Sequence, residues 1–364
     1  MPVPRLAVLG VGLVSGVGLT AEESCAAIRC GINNFQETRF IGGDGEWLVG
    51  SAVELEGPWR GIAKLAKMAA AAIGECFNAA VDEKPERIPV LVCIAEPERP
   101  GRFQSLERVI LERIEEELGL RLHPHSRVIE QGRVGGAVAL LQARRMLAQG
   151  RYPRMVVAGV DTFLTGATLA AYNREDRLLT KSNPNGFIPG EAAGAVLLGS
   201  WDEDMPARLL VRGLGFEREP APFGSGRPSR ADGLVRAVRG ALAEAGLALK
   251  DCNLRIADMN GEQHRFKETA LAVTRLLRDR KPLFPLWHLA DCTGEVGAAT
   301  LPAMLALLFM GARKDFLPGQ TVLGHLGNDD DRRAAFVAQA TSAQTLSWEM
   351  AAEADYRVKR RSAA

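Results

Sequence analysis

The sequence holds few cysteines and places none of them in a pattern. There are six in 364 residues, Cys25, Cys30, Cys76, Cys93, Cys252 and Cys292, with no CxxC pair and no dense spacing. That excludes a disulfide scaffold and a zinc ribbon, and it predicts reduced thiols in a cytoplasmic protein. No thiol lies between Cys93 and Cys252, so the whole middle of the first half lacks a sulfur nucleophile. Charge of one sign is also missing. The net charge of +1 excludes a general attraction to nucleic acid or to an anionic membrane. No apolar run is long enough to span a bilayer. Leu6–Leu19, after Arg5, has the outline of a signal segment, but Gly10, Gly12, Gly16 and Gly18 interrupt it. Thr20 with Glu23 reads as a capping box for a following helix, so a buried strand and turn is expected there. There is no glycine loop with a lysine for phosphate and no Gly-x-Ser-x-Gly, and no cofactor is implied.

What is present is ordinary globular composition, 47% hydrophobic and 24% charged. The organising stretch is Val128–Gly136. It reads as a short strand, a Gly-rich turn and a helix that runs to Gly150, with Ala137, Leu140, Leu141 and Ala148 on one side. Such a turn lifts one side chain over a helix N-terminus, where the dipole favours a thiolate or an oxyanion. The raised position here is Gly132, which has no side chain. Arg144 falls in the apolar stripe of that helix and calls for a partner, with Asp161, Glu130, Glu191 or a dimer contact as candidates.

Strands alternating with helices predict an α/β protein with mixed, largely parallel sheets covered on both faces. Leu9-Gly10-Val11-Gly12 is echoed by Arg212-Gly213-Leu214-Gly215, each expected to follow an apolar strand and to lead into a loop. The echo predicts two similar halves, residues 1–203 and 204–340, followed by a helical, basic tail at 341–364. Ser229 and Asp232 are expected to cap a helix that ends at Gly246.

Several motifs together resemble the thiolase superfamily, in particular its β-ketoacyl synthases. Leu6–Ser15 resembles their opening strand and loop. Asn185-Gly186-Phe187-Ile188-Pro189-Gly190-Glu191-Ala192-Ala193-Gly194-Ala195 resembles their Gly-Phe-x-x-Gly-Glu-x-Ala-Gly segment. Gly297-Ala298-Ala299 resembles the Gly-Ala-Ala after the second catalytic histidine, and Gly324-His325-Leu326-Gly327-Asn328 is a degraded form of the C-terminal glycine loop. The likeness runs from about Arg5 to Val337. It implies a five-layered αβαβα thiolase fold built from two similar halves, usually a homodimer.

The family's catalytic groups do not carry over. Its condensing enzymes use a cysteine nucleophile with two histidines, or a histidine and an asparagine, that promote decarboxylation and stabilise an oxyanion. The matching positions are Gly132, Glu262 and Gly294, and the lysine position falls near Leu289. The pocket is expected to be lined by Gln131, Arg133, Glu191, Cys292, His288 and His325. Cys292 reads first as a small buried thiol and second as a nucleophile paired with His288 or His325. Glu262 reads as a backbone-bonding side chain or, alternatively, a buried general base, and Glu191 as a structural brace beneath the turn. His123-Pro124-His125 lacks further ligands and is expected to be a loop rather than a metal site. Asn328–Asp331 is expected to be a solvated turn.

The resemblance therefore implies a synthase-like protein without condensing activity that binds an acyl chain, an acyl carrier protein or another protein. Degenerate members of this kind serve as accessory factors in bacterial type VI secretion effector clusters, which makes an effector a candidate partner. An active synthase or acyltransferase with a relocated nucleophile, and a chain-length-setting partner of an active synthase, are the alternatives.

Overall fold

Close approach of strand to helix sets how the layers stack. A computed structural model of the chain describes residues 5–43, 45–201 and 207–341. In the first half, β1 (Leu6–Ser15) and α1 (Ala21–Arg29) are followed by the hairpin β2 (Gln36–Ile41) and β3 (Trp47–Gly50), then α2 (Gly61–Ala79), β4 (Val90–Ile94) and α3 (Leu106–Leu118). β5 (Arg127–Glu130), α4 (Gly132–Ala148), β6 (Met155–Thr162), α5 (Gly166–Arg174) and β7 (Glu191–Ser200) complete it. The second half comprises β8 (Leu209–Arg218), α6 (Asp232–Ala245), β9 (Leu254–Ala257), α7 (Gln263–Leu276) and β10 (Leu286–Trp287). It closes with α8 (Ala290–Thr293), α9 (Thr300–Arg313), β11 (Thr321–Gly327) and β12 (Arg332–Ala340).

The duplication is explicit in the strand order. The first half runs β1-β7-β6-β4-β5 and the second β8-β12-β11-β9-β10, so each follows the same path through its own five strands. In both, the last strand is antiparallel to its two neighbours and the other pairings are parallel. A short antiparallel link, Leu6–Val8 with Leu209–Val211, joins the two blocks into one hydrogen-bonded order of ten strands. α4 and α9 lie between the blocks and pack on strands of both, while α2 with α3 covers one outer face and α6 with α7 the other. The result is a thiolase fold of five layers, αβαβα. Alternation along the strands feeds each layer: Val322, Phe336 and Ala338 face the middle core with α4 and α9, and Leu323, Ala335 and Val337 face α6.

The glycine echo corrects its own expectation. Gly12 and Gly215 lie inside β1 and β8 rather than in following loops. A Cβ on Gly12 would stand 2.0 Å from the Ala72 carbonyl oxygen of α2, and one on Gly215 1.9 Å from the Ala237 carbonyl oxygen of α6. The repeat thus lets the equivalent outer helix of each half lie directly on its first strand.

Two capping expectations are also refined. Thr20 accepts from the Glu23 amide at 3.2 Å, but the Glu23 carboxylate returns to the Leu19 amide at 2.9 Å rather than to that of Thr20. At α6 neither Ser229 nor Asp232 caps. Glu219 accepts from the Gly233 amide at 2.7 Å, and Gly246 ends the helix with φ 70°. The boundary expected at 203/204 and the tail from 342 lie outside the described residues.

Candidate functional site

The central turn joins β5 to α4, and its raised position is Gly132 with φ 55°. An L-residue would be strained at that φ, and space is a second barrier. A Cβ there would lie 2.1 Å from Oε2 of Glu96, which reaches in from the segment after β4. A carboxyl therefore stands beside the place from which a nucleophile would project. Burial pushes the Glu96 carboxyl above its ordinary range, against the pull of Arg99 and Arg133.

α4 has no side-chain cap of its own and no acid in its first turn. Asn328, at the end of β11, supplies one from the other half. Its Oδ1 accepts from the Val134 amide at 3.2 Å and its Nδ2 donates to the Gln131 carbonyl at 3.0 Å. Gln131 is thus the partly buried N-cap position of the turn.

The other two family positions are occupied by backbone and by charge. Gly294 ends α8 with φ 67°, and a Cβ there would meet the Ile188 carbonyl oxygen at 2.8 Å. Beside it, a void walled by Asn260, Leu289 and Val296 measures about 10 Å³, the least that one water needs. Glu262, 2% exposed, neither bonds backbone at the turn nor stands free as a base. It receives both arms of Arg177, at 2.8 and 2.9 Å, and the Asn260 amide at 3.2 Å.

These pairs belong to a larger ionic cluster. Arg133 grips Glu295 through two hydrogen bonds of 3.0 and 2.8 Å, and Asn260 donates to the same carboxylate at 2.7 Å. Asp329 lies at the centre. It accepts from Arg133 at 3.1 Å, from Arg177 at 2.7 Å and from Arg265 at 2.6 Å. Arg265 also reaches Asp258 at 3.3 Å and the Gly327 carbonyl at 2.9 Å. Burial alone would raise Glu262, Glu295 and Asp329. The guanidiniums outweigh it and hold Glu262 and Glu295 below the usual carboxylate range and Asp329 well below it. Ionised carboxylates held in forks of arginine have no proton to give and little basicity to use. Expecting Asn328–Asp331 to be a solvated turn was wrong for its first half, since Asn328 and Asp329 hold the two halves of the site together.

The remaining pocket candidates are dispersed. Glu191 pairs with Lys64 and accepts from Thr162 Oγ1 and the Val53 amide, both at 2.9 Å, so it braces the hairpin side of the fold. Cys292 approaches the Ile28 carbonyl of α1 at 4.0 Å, and burial raises its thiol. His288 faces Asp291 at 3.2 Å. His325 is buried in β11, and burial drives its ring down to about 4, so it is neutral. No hydrogen bond joins either histidine to Cys292 among the described residues. Burial also raises the thiols of Cys25, to about 12, Cys252, to about 11, and Cys76 and Cys93, so none of these offers a thiolate. Arg144 pairs with Glu244, which was not among its candidates. His125 bonds Tyr152, and no group of three or more potential metal ligands converges among the described residues.

Sequence reasoning missed Glu96, Arg177, Arg265, Glu295 and Asp329. A usable signal was present for two of them. Glu295 follows Gly294 directly, and Asp329 follows the degraded glycine loop.

No family model matches the chain. A Streptomyces coelicolor protein named as actinorhodin polyketide beta-ketoacyl synthase 2 is 32% identical over 175 residues, 43% of this chain and 41% of the relative. A Streptomyces violaceoruber protein named as granaticin polyketide beta-ketoacyl synthase 2 is 31% identical over 198 residues, 50% of this chain and 46% of the relative. Each match thus spans less than half the length of the relative. Among solved structures, a type II polyketide acyl-carrier protein complex with its ketosynthase gives a TM-score of 0.75 at 16% identity, covering 94% of this chain and 100% of the other. The ishigamide ketosynthase/chain length factor gives 0.75 at 17%, covering 93% and 100%. A ketosynthase in complex with its chain length factor from Xenorhabdus doucetiae gives 0.72 at 12%, covering 93% and 98%. Among the described residues no helix is long and apolar enough to cross a membrane. The chain thus has the thiolase fold, and over half its length or less it is similar in sequence to proteins named as beta-ketoacyl synthase 2.

Proposed function

We propose that this protein is a non-condensing partner of a condensing enzyme, acting as a chain length factor does beside its ketosynthase. The observation that carries this reading is the central turn. Gly132 offers no nucleophile, Glu96 stands where one would project, and the two histidine positions are Glu262, locked by Arg177, and Gly294. A site so filled with fixed charge serves as scaffold rather than as chemistry. The named relatives and the solved pairs of ketosynthase with chain length factor support a partner of that kind. In this reading the division is 1–203, 204–340 and a tail at 341–364, the protein is cytoplasmic with all six thiols free, and its dimer is formed with a cysteine-bearing homologue.

The test is co-purification from the native host with an affinity-tagged chain, paired with intact-mass analysis after exposure to an acyl thioester. The reading expects a condensing homologue, with or without its acyl carrier protein, and no mass gain on this chain. A stable acyl adduct on this chain would overturn it in favour of a relocated nucleophile. Recovery of a secreted effector alone would replace it with an accessory role in a type VI secretion cluster, and a pure homodimer without partners would also count against it.

A further inference from the structure

A second cavity lies away from the central turn, between the β2–β3 hairpin, the start of α2 and the ends of β6 and β7. It measures about 350 Å³, within the range of small-molecule sites. Phe40, Trp59 and Leu164 form its apolar wall. Trp59 is held in place, since its Nε1 donates to the Glu56 carbonyl at 2.7 Å and Lys67 sits 4.3 Å over its ring. At the base, Lys64 and Glu191 neutralise each other. Arg39, which lies 5.2 Å over the Phe40 ring, and Arg60 are exposed lining residues, and among the described residues neither makes an ion pair, while Glu37 is the other carboxylate on the wall. Three cationic side chains against two carboxylates leave the lining with an excess positive charge. The first turn of α2 adds to it, because that helix has no side-chain cap and no acid there.

We infer that this cavity binds a small monocarboxylate with a flat apolar body, the carboxylate at Arg39 and Arg60 and the body against Phe40 and Trp59. Two guanidiniums lining one cavity suit a single planar carboxylate, and an aromatic wall suits a flat body. This site is independent of the ionic cluster and does not depend on the proposed function.

The test is calorimetric titration of the whole chain with benzoate, benzyl alcohol and inorganic phosphate as probes. Benzoate is expected to bind. The double variant Arg39→Gln/Arg60→Gln, both positions being exposed, should weaken it about tenfold or more, a change of about 1.4 kcal/mol. Benzyl alcohol, which lacks the charge, and phosphate, which lacks the apolar body, should bind at least that much more weakly, and added salt should weaken benzoate. No benzoate binding, equal binding to the double variant, or binding of benzyl alcohol or phosphate as tight as benzoate each overturns the assignment.

Discussion

Replacing Arg133 with methionine tests whether the cluster is a coupled electrostatic unit. The side chain is 5% exposed and makes two bonds to Glu295, whose side chain is 3% exposed. At 2.8 Å and a typical effective dielectric, the attraction is roughly 6 kcal/mol, most of which offsets desolvation. Removing one partner forfeits the attraction and keeps the desolvation of the other. Arg133→Met should therefore cost about 3–5 kcal/mol, even with Asn260 and the Gly297 amide still bonded to Glu295. Arg133→Met/Glu295→Gln removes both charges and should recover most of that, leaving a coupling energy of about 2 kcal/mol or more. Urea unfolding of the four proteins measures the cycle. A pH series adds a sign. In the wild type the Glu295 carboxyl is depressed, so its contribution is present above its unfolded value of about 4 and is lost as pH falls through its folded value. Without Arg133, burial dominates and the carboxyl rises, so the variant's deficit should be largest near neutrality and shrink as pH falls towards 4. Additive single variants, or a deficit that ignores pH, would refute the coupled unit.

Two further outcomes follow from close approach at glycines. Gly132→Cys alone should destabilise by about 1–2 kcal/mol and resist iodoacetamide, because Glu96 blocks the side chain. With Glu96→Ala added, the new thiol should alkylate readily at the α4 N-terminus yet catalyse no condensation, since Glu262 and Gly294 remain. Gly215→Ala should cost about 1–3 kcal/mol by lifting α6 from β8, read as a lower melting temperature. A neutral result there would sink the account of the glycine echo.

Much of the fold was legible from local pattern. β5 ends at Glu130 and α4 runs Gly132–Ala148, as the strand–turn–helix reading of Val128–Gly150 expects. The vacancy at Gly132 was also legible, because a missing side chain is a property of one residue. The ionic cluster was not. Its pairs join residues far apart in the chain, such as Arg133 with Glu295 and Arg177 with Glu262. Arg133 and Glu262 were expected at the pocket, but no window of sequence pairs them with Glu295 and Arg177, and only the stacking of the two halves brings these charges together. Asp329 shows this most clearly. It sits in a run of acids that looks like a surface turn, and its environment is decided by three arginines from α4, α7 and the segment after α5. The sequence by itself thus determined the repeated strand–helix path and the absence of a side chain at the central turn, since both rest on local geometry and residue identity. The tertiary structure alone decided what fills the site, since charge pairing depends on distances that only packing creates.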